Sequence, residues 1–384
     1  MITRDIAYIG VDDTDLDLFE SQYIIPNGIS YNSYLIKDEK IAIMDTADNR
    51  KIDEWLGNLR TALDGRTPDY LVVQHMEPDH AGCIAEIVEE YPSVKVVASA
   101  RAIQMLPQFF EGKDFSQNTI AVKEGDTLSL GEHTLQFFMA PMVHWPEVMV
   151  TYDKKDKVVF SADGFGKFGA LSHEEDWACE ARRYYFNICG KYGGPVQALL
   201  KKLATLDVEC ICPLHGPILK ENLGYYIGLY DTWSKYDVET EGVFIAYASI
   251  HGGTAAVANV MAEILREKGA KKVSVADLSR DDMAEAIEDA FRMDKMIVAA
   301  ASYDGGVFPV MHDFLHHLQI KAYQKRRVGI IENGSWAPCA GRVMRGMLEQ
   351  MKDVEIAEPM VTILSRMKQS DRAALEALAD AILK

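Results

Sequence analysis

From residue 242 onward the sequence alternates, with little interruption, between short apolar runs and longer amphipathic ones. The runs 242–249, 272–276, 296–301, 327–331 and 360–364 read as strands, and 255–268, 281–291, 308–318, 340–351 and 371–383 repeat apolar residues at helical spacing. Strands separated by helices and buried on both faces leave few solutions; the alternation predicts a parallel, doubly wound α/β sheet covered on each side. Earlier residues have a different texture. Short strands, turn signals and hairpin-like pairs (32–35 with 41–44, 148–152 with 158–161) are interspersed with a few helices. The polar stretch 232–241 separates the two textures and predicts domains 1–240 and 241–384. A chain of 384 residues is long enough for each to bury its own core.

Composition narrows the partners. The net charge of −18, from 40 Lys and Arg against 58 Asp and Glu, repels polyanions, and no basic block interleaved with aromatics offsets it, so no nucleic-acid partner is expected. The N-terminus lacks the apolar core and small-residue cleavage site of a signal peptide, and runs such as 296–301 are too short to cross a bilayer. A soluble, cytoplasmic protein with no membrane association is the expectation. Six cysteines (Cys83, Cys179, Cys189, Cys210, Cys212, Cys339) form no CxxC pair, which argues against a zinc ribbon, a rubredoxin-like centre or a disulfide framework.

The densest chemistry follows the predicted strand 69–74. His75, Glu77, Asp79 and His80 fall within six residues, and Pro78 with the start of a helix over 81–90 supplies the sharp turn they need to converge. His144, Asp163 and His215 each follow a further strand (135–139, 158–160, 208–212), so one edge of a sandwich can gather all seven. Turn propensity explains a lone Asp or His at a strand end; it does not explain two His and a Glu beside Asp79. His133, His173, His312, His316 and His317 lack such company and read as structural.

This ordered set, His75-x-Glu77-x-Asp79-His80 followed by His144, Asp163 and His215, resembles the metallo-β-lactamase superfamily and, within it, the flavodiiron proteins. Hydrolases of the superfamily have a histidine where Glu77 stands, and the added carboxylate suits iron cycling between Fe(II) and Fe(III). The resemblance implies an N-terminal metallo-β-lactamase-like αββα sandwich with two iron ions: His75, Glu77 and His144 on one, Asp79 and His215 on the other, Asp163 bridging. His80 ligates the second metal in much of the superfamily and points away in some flavodiiron proteins; both remain open. The segment 23–32 resembles an early Gly-Thr-Thr-Tyr-Asn pattern of the family, with Ile29 and Ser30 in place of the threonines, and is expected to line the metal cavity.

In the second half, Ser249-Ile250-His251-Gly252-Gly253-Thr254 joins the first strand to its helix. Hydroxyls, two glycines that let backbone N–H groups approach, and a helix N-terminus form an anion cradle without a lysine. The G-x-G-x-x-G and Walker A patterns are absent. The stretch resembles the flavodoxin phosphate loop, with His251 a departure. That likeness implies a flavodoxin-like domain binding FMN through two more loops, Ser302-Tyr303-Asp304-Gly305-Gly306 and Asn333-Gly334-Ser335-Trp336-Ala337, in which Tyr303 and Trp336 are candidates to border the ring.

Taken over the whole chain, the resemblance implies reduction of O2 to water or NO to N2O, with electrons passing through FMN from an external rubredoxin-like carrier. It also implies a head-to-tail homodimer or dimer of dimers that sets each FMN beside the partner's irons. Arg342 and Arg345 are better placed to receive a donor than Lys325, Arg326 and Arg327, which precede a parallel strand and so lie at the opposite edge; solvated surface charge is the plainer reading of all five. Two other functions fit parts of the pattern: a dinuclear hydrolase, against which Glu77 and the flavin loops speak, and a non-catalytic flavin electron carrier, against which the complete ligand set speaks.

Overall fold

The structure, a computed structural model, describes residues 2–384. The chain divides into two compact units, one ending at Asp231 and the other beginning at Thr232.

The first unit holds two mixed sheets. One contains β1 (Ile6–Tyr8), β2 (Tyr34–Lys37), β3 (Ile41–Met44), β4 (Tyr70–Val73), β5 (Lys95–Ser99) and β6 (Thr119–Val122), hydrogen-bonded in that order. Its first three strands are antiparallel, with Tyr34 opposite Met44 in the expected hairpin, and the rest run parallel. The other contains β7 (Thr127–Ser129), β8 (Thr134–Met139), β9 (Met149–Asp153), β10 (Val158–Phe160) and β11 (Cys210–Cys212), antiparallel except for the last pair. Ile36, Met44 and Val72 from the first sheet share one buried core with Leu135, Phe137 and Phe160 from the second. Parallel neighbours require crossover connections, and this shared core occupies the inner faces, so the connecting helices cover the outer ones. Helix Ile52–Leu63 shows the pattern: Trp55, Leu56, Leu59 and Leu63 make one buried stripe. The result is the expected αββα sandwich.

One expected helix is interrupted. Instead of a single run over 81–90, the chain forms Pro78–Ala81 and then Ile84–Glu90, separated by Gly82 and Cys83. The break has a packing reason. A Cβ on Gly82 would lie 2.6 Å from the Pro78 carbonyl oxygen and 2.9 Å from the Asn49 nitrogen, so segment 47–49 approaches where only a glycine fits. Thr46 completes the clamp, donating its backbone N–H (2.8 Å) and hydroxyl (2.6 Å) to the carbonyl of His80.

In the second unit β12 (Thr240–Ala248), β13 (Val273–Asp277), β14 (Met293–Tyr303) and β15 (Arg327–Asn333) pair in the order β13-β12-β14-β15, all parallel. The expected fifth strand, 360–364, forms on β15 as Val361–Ile363, here β17; ahead of it a short strand the sequence did not suggest, β16 (Glu355–Ile356), pairs with the same β15, and Pro359 between the two cannot donate to the ladder. This is the flavodoxin-type strand order. Alternate residues of β12 serve opposite faces: Val243 and Ile245 pack with helices Gly253–Glu267 and Arg372–Ile382, while Phe244 lies 6.3 Å from Phe314 of helix Pro309–Ile320. Of the basic run before β15, Arg326 corrects the surface-charge expectation. It is buried, and its guanidinium donates to the carbonyls of Met293, Phe291, Tyr236 and Asp237 at 2.6–3.0 Å. Among the described residues no helix is long and apolar enough to cross a membrane.

Replacing Gly82 with alanine should force apart the loop and helix that carry His80. The expected outcome is a loss of about 1–3 kcal/mol in chemical denaturation of the sandwich unit, with the cooperative unfolding of the second unit unchanged.

Candidate metal centre and anion cradle

All seven predicted ligands lie at strand ends and converge. His75, Glu77, Asp79 and His80 follow β4, His144 follows β8, Asp163 follows β10 and His215 follows β11. Glu77 is extended (φ −62°, ψ 137°) and Pro78 opens the short helix, so the chain turns between the two carboxylates and assigns Glu77 to one cluster and Asp79 to the other.

The first cluster is His75, Glu77, His144 and Asp163; the second is Asp79, His80 and His215. In the first, Nε2 of His144 lies 3.1 Å from Glu77 Oε2 and 3.0 Å from Asp163 Oδ2, and Nε2 of His75 lies 3.2 and 3.3 Å from the same two oxygens. In the second, Asp79 Oδ2 is 3.3 Å from His80 Nε2 and 3.2 Å from His215 Nε2. Asp163 reaches both: its Oδ1 lies 3.1 Å from His80 Nε2 and 3.8 Å from that of His215. His80 therefore points into the second cluster.

This donor set fits a pair of metal ions. Imidazole nitrogens face each other at 3.3 Å (His75 with His144) and 3.1 Å (His80 with His215). Two nitrogens bound to one ion at about 2.1 Å stand roughly 3.0–3.4 Å apart for ligand angles between octahedral and tetrahedral. The carboxylate oxygens of Asp79 and Asp163 are buried with no hydrogen-bond donor aligned on them, a costly state that an ion relieves.

Electrostatics within the cluster are correspondingly strong. Burial opposes charge on His144, yet Asp163 and Glu77 outweigh it and hold the imidazole at about 9. His75 and His80 are raised against burial by the same carboxylates together with Glu147 and Asp79. Conversely, Asp163 is held well below the usual carboxylate range by His75, His80 and His144 despite its burial.

Behind the ligands lies a shell that the sequence did not announce. Glu147, buried, faces Nδ1 of His75 at 2.8 Å through Oε1, which also accepts the Met76 N–H at 3.0 Å. Its position three residues after His144 is the one available signal. His215 is held by the segment 23–32 that was expected to line the cavity: its Nδ1 donates to the Ser30 carbonyl at 2.7 Å, and Ser30 Oγ accepts the Gly216 N–H at 2.7 Å. Asn32 donates to the carbonyls of Pro213 and Gly216, both at 2.8 Å. Asp45, pushed up to about 6 by burial, accepts from Gln74 with both oxygens, and the rings of Phe19 and Tyr184 pack against His215. Glu20, also missed, is pushed up to about 7 by burial and by Glu77. None of the six remaining histidines joins either cluster; His133 has Asp153 at 3.0 Å and Asp5 at 3.5 Å on its two ring nitrogens.

The loops after β12, β14 and β15 meet at one end of the second unit's sheet. Gly252 is left-handed (φ 81°) and caps helix Gly253–Glu267, so the backbone N–H groups of its first turn are open to an anion. A Cβ on Gly253 would lie 2.5 Å from the Ser365 carbonyl oxygen. Asn333 ties the loops together, donating to Ser365 O at 2.9 Å and accepting the Ser365 N–H at 3.0 Å through Oδ1, while the Ser335 and Ser365 hydroxyls lie 2.6 Å apart. Ser249 Oγ is buried without a partner, the orphan an anionic group would satisfy. Ser302 instead spends its oxygen on the third loop, accepting the N–H groups of Cys339 (2.8 Å) and Ala340 (3.1 Å). Asp304 and Gly305 form the two-residue turn of a hairpin in which Tyr303 pairs with Gly306. His251, Ile250 and Tyr303 are exposed, and Trp336 is 91% exposed.

Fold and site together define a two-part protein, a metallo-β-lactamase-type sandwich with paired ligand clusters joined in one chain to a flavodoxin-type sheet with an anion cradle. Comparison with known proteins agrees. The family model described as ODP family beta lactamase matches residues 29–216, the span that contains every ligand candidate. An uncharacterized protein of Methanocaldococcus jannaschii is 30% identical over 357 residues, 91% of this chain and 89% of that protein. Anaerobic nitric oxide reductase flavorubredoxin of Escherichia coli is 28% identical over 88% of this chain and 72% of its own length. Among solved structures, rubredoxin oxygen:oxidoreductase from Desulfovibrio gigas superposes with a TM-score of 0.93 at 26% identity, covering 100% of this chain and 97% of that one. A flavo di-iron protein from Thermotoga maritima follows at 0.88 and 25%, covering 98% and 95%. The chain belongs to the flavodiiron (A-type flavoprotein) family, a family of oxidoreductases.

Because the His144 imidazole, held at about 9, carries a proton near neutrality in the metal-free centre, loading must displace it. Ferrous iron added anaerobically to metal-free protein should release protons, read by calorimetry in buffers of different ionisation enthalpy, and apparent affinity should fall by about tenfold or more per pH unit from pH 7 to 6. The sign for stability follows from the raised His144 value of about 9. In metal-free protein its contribution is complete below the ordinary imidazole value near 6.5 and disappears as pH rises through about 9, so thermal stability should decline over that window.

Proposed function

We propose that this chain reduces a small diatomic, O2 to water or NO to N2O, at a diiron centre fed by FMN. The observation that carries the reading is the carboxylate content of a doubly imidazole-lined site: Glu77, Asp79 and Asp163 against four histidines, a set suited to an ion that must be stable as Fe(III). The names of the Desulfovibrio and Escherichia proteins support the two substrates and a rubredoxin-type donor.

When bound, the irons would supply the diatomic-binding and redox chemistry, and FMN would relay electrons to them from the donor. His75, Glu77, His144 and Oδ2 of Asp163 would hold one ion, and Asp79, His80, His215 and Oδ1 of Asp163 the other. Burial of Asp163 and of the four histidines keeps bulk water from competing with the ligands. In the second unit Ser249, Gly252, Gly253 and Thr254 would hold the FMN phosphate, with Asn333 and Ser335 fixing the neighbouring loops. Tyr303 and Trp336 would border the ring, and exposed Trp336 is a surface that a second copy in a head-to-tail dimer would cover. Arg342 is exposed and Arg345 pairs with Glu358 at 2.6 Å, which leaves Arg342 the freer contact for an acidic donor.

Protein purified without added cofactors should carry about one FMN and two irons per chain, and with reduced rubredoxin should consume O2 or NO; the ratio of the two rates assigns the substrate. Zinc without flavin would instead indicate a hydrolase, and FMN without iron an electron carrier. Gly253→Ala should lower FMN content by about tenfold or more while iron content stays the same, measured by absorbance and elemental analysis on one sample.

A further inference from the structure

Resting on the diiron reading, the inference concerns how the two halves of the centre differ. At the level of direct ligands they are matched. Each has two imidazoles, one carboxylate of its own, and one oxygen of Asp163. The difference lies behind the imidazoles. His75 is backed by a buried carboxylate, Glu147, at 2.8 Å, whereas His215 is backed by the neutral carbonyl of Ser30 at 2.7 Å. Nδ1 of His80 is buried with no partner.

We infer that Glu147 is the positioning residue that makes the half formed by His75, Glu77 and His144 the more electron-rich of the two. Oε1 of Glu147 fixes the His75 proton on Nδ1, so Nε2 presents its lone pair to the metal, and the negative charge behind the ring raises the donor strength of that lone pair. In a site shielded from water this charge is felt far more than it would be at the surface. A carbonyl supplies the orientation but only a dipole. The first half therefore keeps Fe(III) while the second is reduced, and the two one-electron reductions separate. Glu147 is also built to stay in place. Its oxygen accepts the Met76 N–H, and its backbone carbonyl accepts the hydroxyl of Ser99 at 2.8 Å, the same residue that caps helix Ala100–Phe109. Asp45, a further buried carboxylate behind the ligands, interacts with both His80 and His75 and so does not distinguish the halves.

The test is a potentiometric titration of iron-loaded protein followed by electron paramagnetic resonance of the mixed-valent Fe(II)Fe(III) form. Glu147→Gln keeps an oxygen to accept from Nδ1 and from Met76 but removes the charge; Glu147→Asp keeps the charge. With two irons per chain in each protein, the comproportionation constant should fall at least about tenfold in Glu147→Gln, a 59 mV narrowing, and stay nearer the native value in Glu147→Asp. Should Glu147→Gln carry one iron where the native and Glu147→Asp proteins carry two, the inference is equally supported, since outer-shell loss weakens one position by about 10–100-fold. Two irons in Glu147→Gln with an unchanged constant overturn it and leave the diiron reading intact. Native protein that takes up no iron overturns the diiron reading itself.

Discussion

One shared carboxylate organises the first unit. Asp163 is buried to 1% exposure between two imidazole pairs, with Oδ2 toward His75 and His144 and Oδ1 toward His80 and His215. A charge in that position persists only if every neighbour answers it, because an unpaired buried carboxylate costs several kcal/mol. The turn that carries it is locked: Ser161 donates its hydroxyl to the Gly164 carbonyl at 2.6 Å and accepts the Gly164 N–H on its own carbonyl at 3.0 Å. The strand ends after β4, β8 and β11 then have to meet at this point, which explains why both sheets contribute and why the ligands lie on connections rather than within strands.

What was legible in the sequence, and what was not, divides along a physical line. The cluster from His75 to His80 stood out because four metal-binding side chains in six residues have no structural rationale, and His144, Asp163 and His215 followed from their matching places after strands. The doubly wound sheet was legible from its alternation, and the cradle at Ser249 to Thr254 from its place in the first turn of that sheet. Glu147 was not, and segment 23–32 was placed at the cavity without the role of its Ser30 carbonyl, because an outer hydrogen bond obeys no spacing rule: one comes from the residue after a Trp-Pro pair, the other from a backbone carbonyl that any residue could have supplied.

Other misses were matters of packing. Only the approach of segment 47–49 turns Gly82 into a helix break, and only the fold shows that Arg326 closes off backbone carbonyls where a run of three basic residues suggested solvent. Packing also shows what the sequence could not, that Ser302 ties two of the expected flavin loops together, its oxygen accepting the N–H groups of Cys339 and Ala340. In each case local residue type allowed two roles, and a partner distant in the chain chose between them.

The segment around Ser30 has a consequence for how the centre comes into being. His215 meets a backbone carbonyl 185 residues earlier in the chain, and Asn32 reaches Gly216 across a similar span. The pairings of His75 with His144 and Glu147, by contrast, span 69 and 72 residues. Loop closure makes the longer pairings slower to form, and synthesis delivers them last. All the residues of the His75 half, Asp163 included, therefore leave the ribosome before His215 does, so the chain order itself places one half of the centre ahead of the other.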